Sequence, residues 1–437
     1  MEHIANRGLT VDGMRNLSTW KNSIRQNHHW NFGTNLTETS LTLFGRGFLG
    51  IQTFLPIFVS QFTESKILIG LVSVAIPVGF LLPQLFIAPL VESRHPKKPI
   101  VLRLALVEKS LYISLAVLAF NSGNLPVSIL VSSFVISCLL IGLAGGATQI
   151  VWSELMASVF LSGIRGKYFG TAFFVGGLLS AIGAYCGGVI LSQYEFPHNY
   201  ALTFFIGFCL TIASWFFLLG IREPSIPEHT LVRSTQRDFF RGLPNILRQD
   251  RRFSTFLIAQ TFIFLGGMAL AFVAVWGKIR LTLDGYQLGV LGTNLLIGGT
   301  LGSLVSGWLG DIYSHRRLLM AGAGFQILGF ALSLWASNTQ ILFLGMFLLG
   351  WSSSSMRVNI QPLVYEYASP RRRPTYIGIS STTFGIAGMV APFIGGLIAQ
   401  FFEYDALFMI SIALSIIAIF IYWSFVEEPS GRADALG

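Results

Sequence analysis

The chain has 437 residues, of which 53% are hydrophobic and only 11% are charged. A soluble chain would carry about 25% charged residues, so this composition excludes a soluble globular protein and indicates one that crosses a membrane many times. The formal net charge of +9 does not indicate a nucleic-acid partner. The basic residues fall mainly in loops between apolar runs, where they set the orientation of membrane helices.

Twelve apolar segments follow one another along the chain, and each is long enough for a helical span of roughly 20 residues. We predict spans at 36–61, 67–90, 99–121, 126–150, 167–193, 200–221, 254–277, 286–309, 316–337, 339–362, 375–400 and 405–426. Several connections are very short, which makes consecutive helices antiparallel neighbours.

One long polar interruption, 222–252, separates six spans from six. It contains seven arginines and a short amphipathic pattern, which is typical of a helix lying along the membrane surface. The predicted organisation is a cytoplasmic amino-terminal segment (1–34), a first six-helix bundle (35–221), a cytoplasmic linker (222–252), a second six-helix bundle (253–426) and a cytoplasmic tail (427–437).

The distribution of basic residues predicts the orientation in the lipid bilayer. With the amino terminus in the cytoplasm, most lysines and arginines lie in cytoplasmic segments, and only Lys66, Lys278 and Arg280 fall on the opposite side. The first 34 residues are polar and show no signal-peptide core. We therefore predict a multi-pass protein of the plasma membrane with both termini in the cytoplasm.

A charged motif occurs twice in register. The stretch Gly307–Arg317 has a small residue, an acid and two bases between apolar runs, and Ala88–Lys98 is a diverged copy of it. A shift of 219 positions aligns Ala88 with Gly307, Glu92 with Asp311, Lys97 with Arg316 and Lys98 with Arg317; a shift of 208 aligns Arg165 with Arg373, Tyr168 with Tyr376 and Gly142 with Gly350. The chain therefore consists of two similar halves.

The layout of six plus six spans and the motif Gly307–Arg317, supported by Arg165–Gly170, resemble the major facilitator superfamily over almost the whole chain. This resemblance implies an all-α membrane protein with twelve transmembrane helices in two pseudo-symmetric six-helix halves. It also implies a path between the halves lined by the first, fourth, seventh and tenth spans.

The resemblance further implies that the repeated motif is a cytoplasmic gate. The gate residues would be Gly307, Asp311, Arg316 and Arg317, with Glu92, Lys97 and Lys98 as a second copy. The alternative is a tight loop whose bases only set the topology.

Charged residues within spans are costly and are functional candidates by default. They are Arg46, Glu108, Lys109 and Arg357, and the repeat partner of Arg357 is Gln149. These side chains either bind substrate and couple its transport, or they form a fixed ion-pair network such as Arg46 with Glu108. The basic members suggest a substrate with negative charge.

Three further polar residues are open to two interpretations. Glu38 is a proton-carrier candidate, but the pattern Asn35-Leu-Thr-Glu38 is also typical of a capping box at a helix start. Gln260 and Asn294 would either line the path or make helix–helix hydrogen bonds.

The sequence gives no sign of an enzyme. It has no phosphate-binding Gly-Lys-Ser loop, nucleophile elbow or zinc-ligand pair, so we expect no cofactor and no nucleotide-driven motor. We predict secondary active transport of a small solute by alternating access, driven by a proton or ion gradient, in a protein that is a monomer. Two alternatives stay open: a non-transporting receptor or assembly partner with this fold, and a lipid-conjugate translocase.

Overall fold

The computed structural model describes residues 11–81, 83, 96–160, 162–224, 250–368 and 373–426. For residues 11–22, 157, 162–167, 311–312 and 373–375 it describes only the backbone. Within these ranges the regular structure is helical throughout, as expected of a backbone that must satisfy its own hydrogen bonds in lipid. The predicted linker segment 225–249 and the tail 427–437 lie outside the described residues.

The described helices make twelve crossings, which confirms the predicted fold class. The first span is Val11–Leu49 with Phe54–Ser60, the second Lys66–Leu81, the third Lys98–Phe120, the fourth Val127–Val159, the fifth Ser162–Gln193 and the sixth His198–Leu219. The seventh is Arg251–Gly266 with a 3-10 turn at Gly267–Ala269 and Leu270–Leu281, the eighth Gly285–Ile312, the ninth His315–Leu334 and the tenth Thr339–Tyr367. The eleventh and twelfth share Arg373–Phe425 and are divided at Glu403, whose backbone is not helical.

The first helix is longer than its apolar run. It begins by Val11 rather than near residue 36, because its polar turns are held against the end of the sixth span. The Asn31 side chain donates to the Arg222 carbonyl at 3.0 Å and accepts from the Arg222 amide at 2.9 Å. Trp30 Nε1 donates to the Gly220 carbonyl at 2.7 Å. These contacts are far apart in sequence, so the hydropathy pattern carries no trace of them.

The first and seventh spans are each interrupted near their middle, where the sequence predicts continuous helices. In the first span the break is at Gly50, which has φ +51°. A Cβ there would lie 2.6 Å from Thr53 Oγ1 and 2.7 Å from the Phe54 ring, so this turn requires glycine. In the seventh span the break is the 3-10 turn at Gly267–Ala269.

The two halves meet mainly through two pairs of spans, the second with the eleventh and the fifth with the eighth. The closest approach joins Gly188 and Gly289, where a Cβ on Gly188 would lie 2.3 Å from the Gly289 Cα. Small residues at this crossing let the two backbones touch. In contrast, the first, fourth, seventh and tenth spans pack chiefly on neighbours within their own half.

We name the two ends of the bundle by their connections. The short-loop side carries 61–65, 121–126, 194–197, 282–284 and 335–338, and the basic side carries Lys97, Lys98, Arg316 and Arg317. Among the described residues, one apolar cluster on the short-loop side is shared by both halves and includes Phe58, Phe134, Phe272 and Phe408.

Towards the basic side each half has an apolar cluster of its own. The cluster of the first half includes Val101, Leu155, Tyr168 and Leu218. The cluster of the second half includes Phe253, Leu319, Tyr376 and Tyr422. Across the described residues, the halves therefore share a core only near the short-loop side.

Candidate functional site

Arg46 and Glu108 join the first span to the third. Arg46 Nη2 lies 3.0 Å from Glu108 Oε1. The Glu108 side chain is only 6% exposed, whereas the Arg46 side chain is 34% exposed. A Cβ on Gly145 of the fourth span would lie 3.3 Å from Glu108 Oε1, so this carboxylate faces the fourth span. Arg46 is thus paired with a buried carboxylate and still accessible from outside the protein core.

Glu38 and Lys109 form a second ion pair between the same spans. Lys109 Nζ donates to Glu38 Oε1 at 3.0 Å, to Thr42 Oγ1 at 2.8 Å and to Ser214 Oγ of the sixth span at 2.6 Å. Both charged side chains are more than nine-tenths buried. All three ammonium donors are used, so Lys109 ties the first, third and sixth spans together.

The position of Glu38 excludes the capping-box interpretation. Asn35 lies inside the first helix, not at its start, and its side-chain amide donates to the Asn31 carbonyl one turn earlier at 2.8 Å. The pattern Asn35–Glu38 does not mark a helix start, because tertiary contacts extend the helix towards the amino terminus.

Arg357 differs from the other charged residues in the spans. Its side chain is exposed, and the part of the chain that the structure describes provides it with no hydrogen-bond or ion-pair partner. Around the axis of the tenth span, the face of Arg357 lies between those of Ser354 and Met356. Ser354 lies beside Gly299 of the eighth span, and Met356 packs in the cluster of the second half. A guanidinium does not lose its proton, so Arg357 is a fixed positive charge that no carboxylate of the described residues neutralises.

Gln149 occupies the matched position on the fourth span and is also exposed. The two positions are also equivalent in the structure, because each follows by seven residues a glycine that packs closely on a neighbouring span. A Cβ on Gly142 would lie 2.3 Å from the Ile76 carbonyl oxygen of the second span. Likewise, a Cβ on Gly350 would lie 2.0 Å from the Leu295 carbonyl oxygen of the eighth. Gln149 and Arg357 therefore project from equivalent faces of the two halves.

Gln260 and Asn294 are placed differently. Gln260 is fully buried, and its Oε1 accepts a hydrogen bond from the Tyr422 hydroxyl of the twelfth span at 2.6 Å. This supports the helix-packing interpretation. Asn294 is half-buried and donates within its own helix, to the Val290 carbonyl at 2.9 Å.

The bases of the repeated motif bind helix ends in their own half. Arg316 donates to the carbonyls of Tyr422 and Trp423 at 3.0 and 2.9 Å, and Lys98 Nζ donates to the Leu219 carbonyl at 2.8 Å. Both sites are carboxyl ends of helices, where a positive charge is favourable. Gly307 has open space around it, with Val358 at 3.9 Å from a Cβ placed there.

The acids of the motif cannot be placed in the same way. Glu92 lies outside the described residues, and at Asp311 only the backbone is described, within the eighth span. The gate function therefore remains a prediction.

Two carboxylates that the sequence did not mark as site residues hold the amino-terminal copy of the motif. Both oxygens of Glu223 accept from the backbone amides of Lys97 and Lys98, at 2.8 Å each. Lys97 Nζ is paired with Glu154 of the fourth span. The available signals were weak: Glu223-Pro224 has a repeat partner at Glu428-Pro429, and Glu154 follows an apolar run.

Comparison with known proteins gives one family for the second half of the chain. Residues 256–436 match the family model of the Major Facilitator Superfamily. That half is therefore similar to proteins of this superfamily. The crystal structure of a D-xylose–proton symporter is similar over 92% of this chain and 98% of its own, with a TM-score of 0.72 at 16% sequence identity. Members of this superfamily are transporters, not enzymes.

Sequence relatives match over shorter stretches. An uncharacterised MFS-type transporter of Mycobacterium tuberculosis (strain H37Rv) is 27% identical over 124 residues, which is 28% of this chain and 18% of that protein. The hexuronate transporter of Bacillus subtilis (strain 168) is 23% identical over 175 residues, or 38% of this chain and 41% of that protein. The chain thus matches less than half the length of these relatives.

Proposed function

We propose that this protein is a transporter of the major facilitator superfamily that carries a small, negatively charged solute by alternating access, driven by a proton or ion gradient. The substrate would bind between the halves, near Arg46, Gln149 and Arg357. The basic side would face the cytoplasm, as the distribution of lysine and arginine predicts.

The observation that carries the proposal is the unpaired guanidinium of Arg357 among the described residues. Arg46 and Lys109 each have a carboxylate partner within the protein. A permanent charge at membrane depth is costly unless it meets an opposite charge, and an anionic substrate would supply one. One relative is named a hexuronate transporter, and a hexuronate is a carboxylate-bearing sugar.

Alternating access is supported by the distribution of the core. The halves share apolar packing near the short-loop side, whereas each has its own cluster near the basic side. Packed interfaces switch between discrete arrangements. Shared packing at one end only is what we expect of a state that is closed on the short-loop side. Arg46 would exchange between Glu108 and the substrate, releasing Glu108 to take up the coupling proton.

The test is flux into proteoliposomes with an imposed pH gradient, using a panel of labelled monocarboxylates, sugar acids, neutral sugars and organic cations. We expect uptake of at least one anion and loss of that uptake in Arg357→Gln. A charged hydrogen bond is worth about 1.5–3 kcal/mol, so the apparent affinity should fall roughly 10- to 150-fold.

Two controls make the result specific. Arg357→Lys keeps the charge and should retain part of the uptake, and Arg280→Gln removes an arginine from the short-loop side and should leave uptake unchanged. Uptake of only neutral or cationic solutes, or wild-type anion affinity in Arg357→Gln, would reject the anionic substrate.

A further inference from the structure

Two of the three bases on the short-loop side converge on one turn. Lys66 begins the second span, in the first half, and Arg280 lies near the end of the seventh, in the second half. Their partners are Glu403 and Asp405, at the junction of the eleventh and twelfth spans. The Lys66 contact therefore crosses between the halves, whereas the Arg280 contact stays within one.

Lys66 makes three separate contacts with this junction. Its Nζ lies 2.5 Å from Glu403 Oε2 and 4.6 Å from the centroid of the Tyr404 ring. Its backbone amide donates to Gln400 Oε1 at 2.9 Å. The Lys66 side chain is only 16% exposed, whereas the Glu403 side chain is 78% exposed.

Glu403 adopts a backbone conformation that ordinary residues avoid. Its φ of 67° and ψ of 172° fall in a region used almost only by glycine. Such strain persists where the surrounding structure holds it in place and is typical of switch regions. Here the turn separates two helices and presents the carboxylate to Lys66.

The backbones on either side of this contact already touch. A Cβ on Gly396 would lie 3.1 Å from the Lys66 carbonyl oxygen, and a Cβ on Gly70 would lie 3.0 Å from the Pro392 carbonyl oxygen. The second and eleventh spans are therefore in direct contact at this level. Any parting of the halves on the short-loop side must separate Lys66 from Glu403.

We propose that the Lys66–Glu403 pair is a latch that holds the short-loop side of the protein closed and breaks each time that side opens. The latch rests on the proposed alternating access. It would bias the resting protein towards the state open on the basic side. The Arg280–Asp405 pair, at 3.7 Å and exposed on both sides, has the same chemistry without crossing the interface and is a matched control.

The test measures the distance between the halves on the short-loop side by pulsed electron–electron spin resonance in nanodiscs. Spin labels go on Asn124→Cys and Ser337→Cys, which are exposed connection residues in different halves. In this background Cys138, Cys186 and Cys209 are replaced by alanine or serine. The distance distribution is compared between the parent protein, Lys66→Gln, Glu403→Gln, Arg280→Gln and the reversed pair Lys66→Glu/Glu403→Lys.

We expect Lys66→Gln and Glu403→Gln each to raise the ratio of open to closed populations about two- to five-fold, the range of a partly exposed ion pair. The reversed pair should return towards the parent ratio, and Arg280→Gln should match it. Because the reversed pair changes both positions, its return to the parent ratio would show that the single variants do not act by misfolding.

Two outcomes overturn the latch. One is an unchanged distribution in both single variants; the other is an equal shift in Arg280→Gln. In either case the parent protein would still show two populations and flux, so alternating access would survive. A parent protein with one distance under all conditions and no flux would reject both proposals.

Discussion

The two halves join corresponding helices with different chemistry. In the first half, the first, third and sixth spans meet through the ion pair of Glu38 and Lys109, with Ser214 as a third partner. In the second half, the seventh, ninth and twelfth spans meet through Gln326, whose amide donates to Ser415 Oγ at 2.8 Å and to the Ile263 carbonyl at 3.2 Å. One half is cross-linked by charges and the other by neutral groups.

This difference shows that a polar residue inside a span is not by itself a transport residue. A buried ion pair fixes helices firmly, because removing one partner leaves an uncompensated charge. A neutral amide also joins helices, but its removal costs less free energy of unfolding. Among the described residues of the second half, no aspartate, glutamate, lysine or arginine is buried. Arg357 stands apart because neither kind of cross-link engages it within the described part of the chain.

The largest effect is expected from breaking the charged cross-link. Lys109→Met leaves the buried Glu38 carboxylate without its counter-ion and should lower the free energy of unfolding by about 3–5 kcal/mol. Gln326→Met, its neutral counterpart, should cost about 0.6 kcal/mol and at most about 1.7 kcal/mol. Reversible unfolding in mixed micelles measures both. Glu38→Gln added to Lys109→Met should recover most of the loss; similar costs for both single variants would remove the distinction between the halves.

An intermediate effect is expected from exchanging the matched positions. If Gln149 and Arg357 face one space, the double variant Gln149→Arg/Arg357→Gln should regain part of the anion affinity lost in Arg357→Gln. The loss corresponds to about 1.5–3 kcal/mol, and a regain of roughly ten-fold in apparent affinity would correspond to about 1.4 kcal/mol. Competition binding with the transported anion measures it. Failure to regain any affinity in a stable double variant would place the two side chains in separate environments.

A small effect, confined to one helix end, is expected from the carboxylate that caps the third span. Glu223→Gln removes the charge and one acceptor from the start of the third span and should cost about 1 kcal/mol. Asp250, whose side chain accepts from the Phe253 amide at 3.0 Å, is a carboxylate at the start of a different helix, the seventh span, and serves as the control. Hydrogen exchange at residues 98–101 should accelerate in Glu223→Gln and stay unchanged in Asp250→Asn.

Some features followed from local patterns alone. Apolar runs of membrane length predicted the twelve spans, and the third span was placed to within one residue, at Lys98–Phe120. The charged residues within spans could be identified as candidates because a charge in lipid is costly and therefore rare. One pairing, Arg46 with Glu108, was among the alternatives because few carboxylates were available to that arginine.

Other features could not be predicted from the sequence. Glu38 and Lys109 are 71 positions apart, and nothing local distinguishes a carboxylate awaiting that partner from a helix cap. The break at Gly50 depends on how Phe54 packs behind it. The ends of the first, fourth and tenth helices lie beyond their apolar runs, because helical hydrogen bonding continues where hydropathy stops.

The sequence by itself determined the class, the span count, the duplication and the list of costly charges, since each depends on composition or on spacing along the chain. Only the tertiary structure decided which charges are neutralised, where the halves touch and that Lys66 reaches across to Glu403. The physical reason is that burial and pairing are properties of neighbours in space. The spans are similar in hydropathy, so hydropathy does not indicate which of them are neighbours.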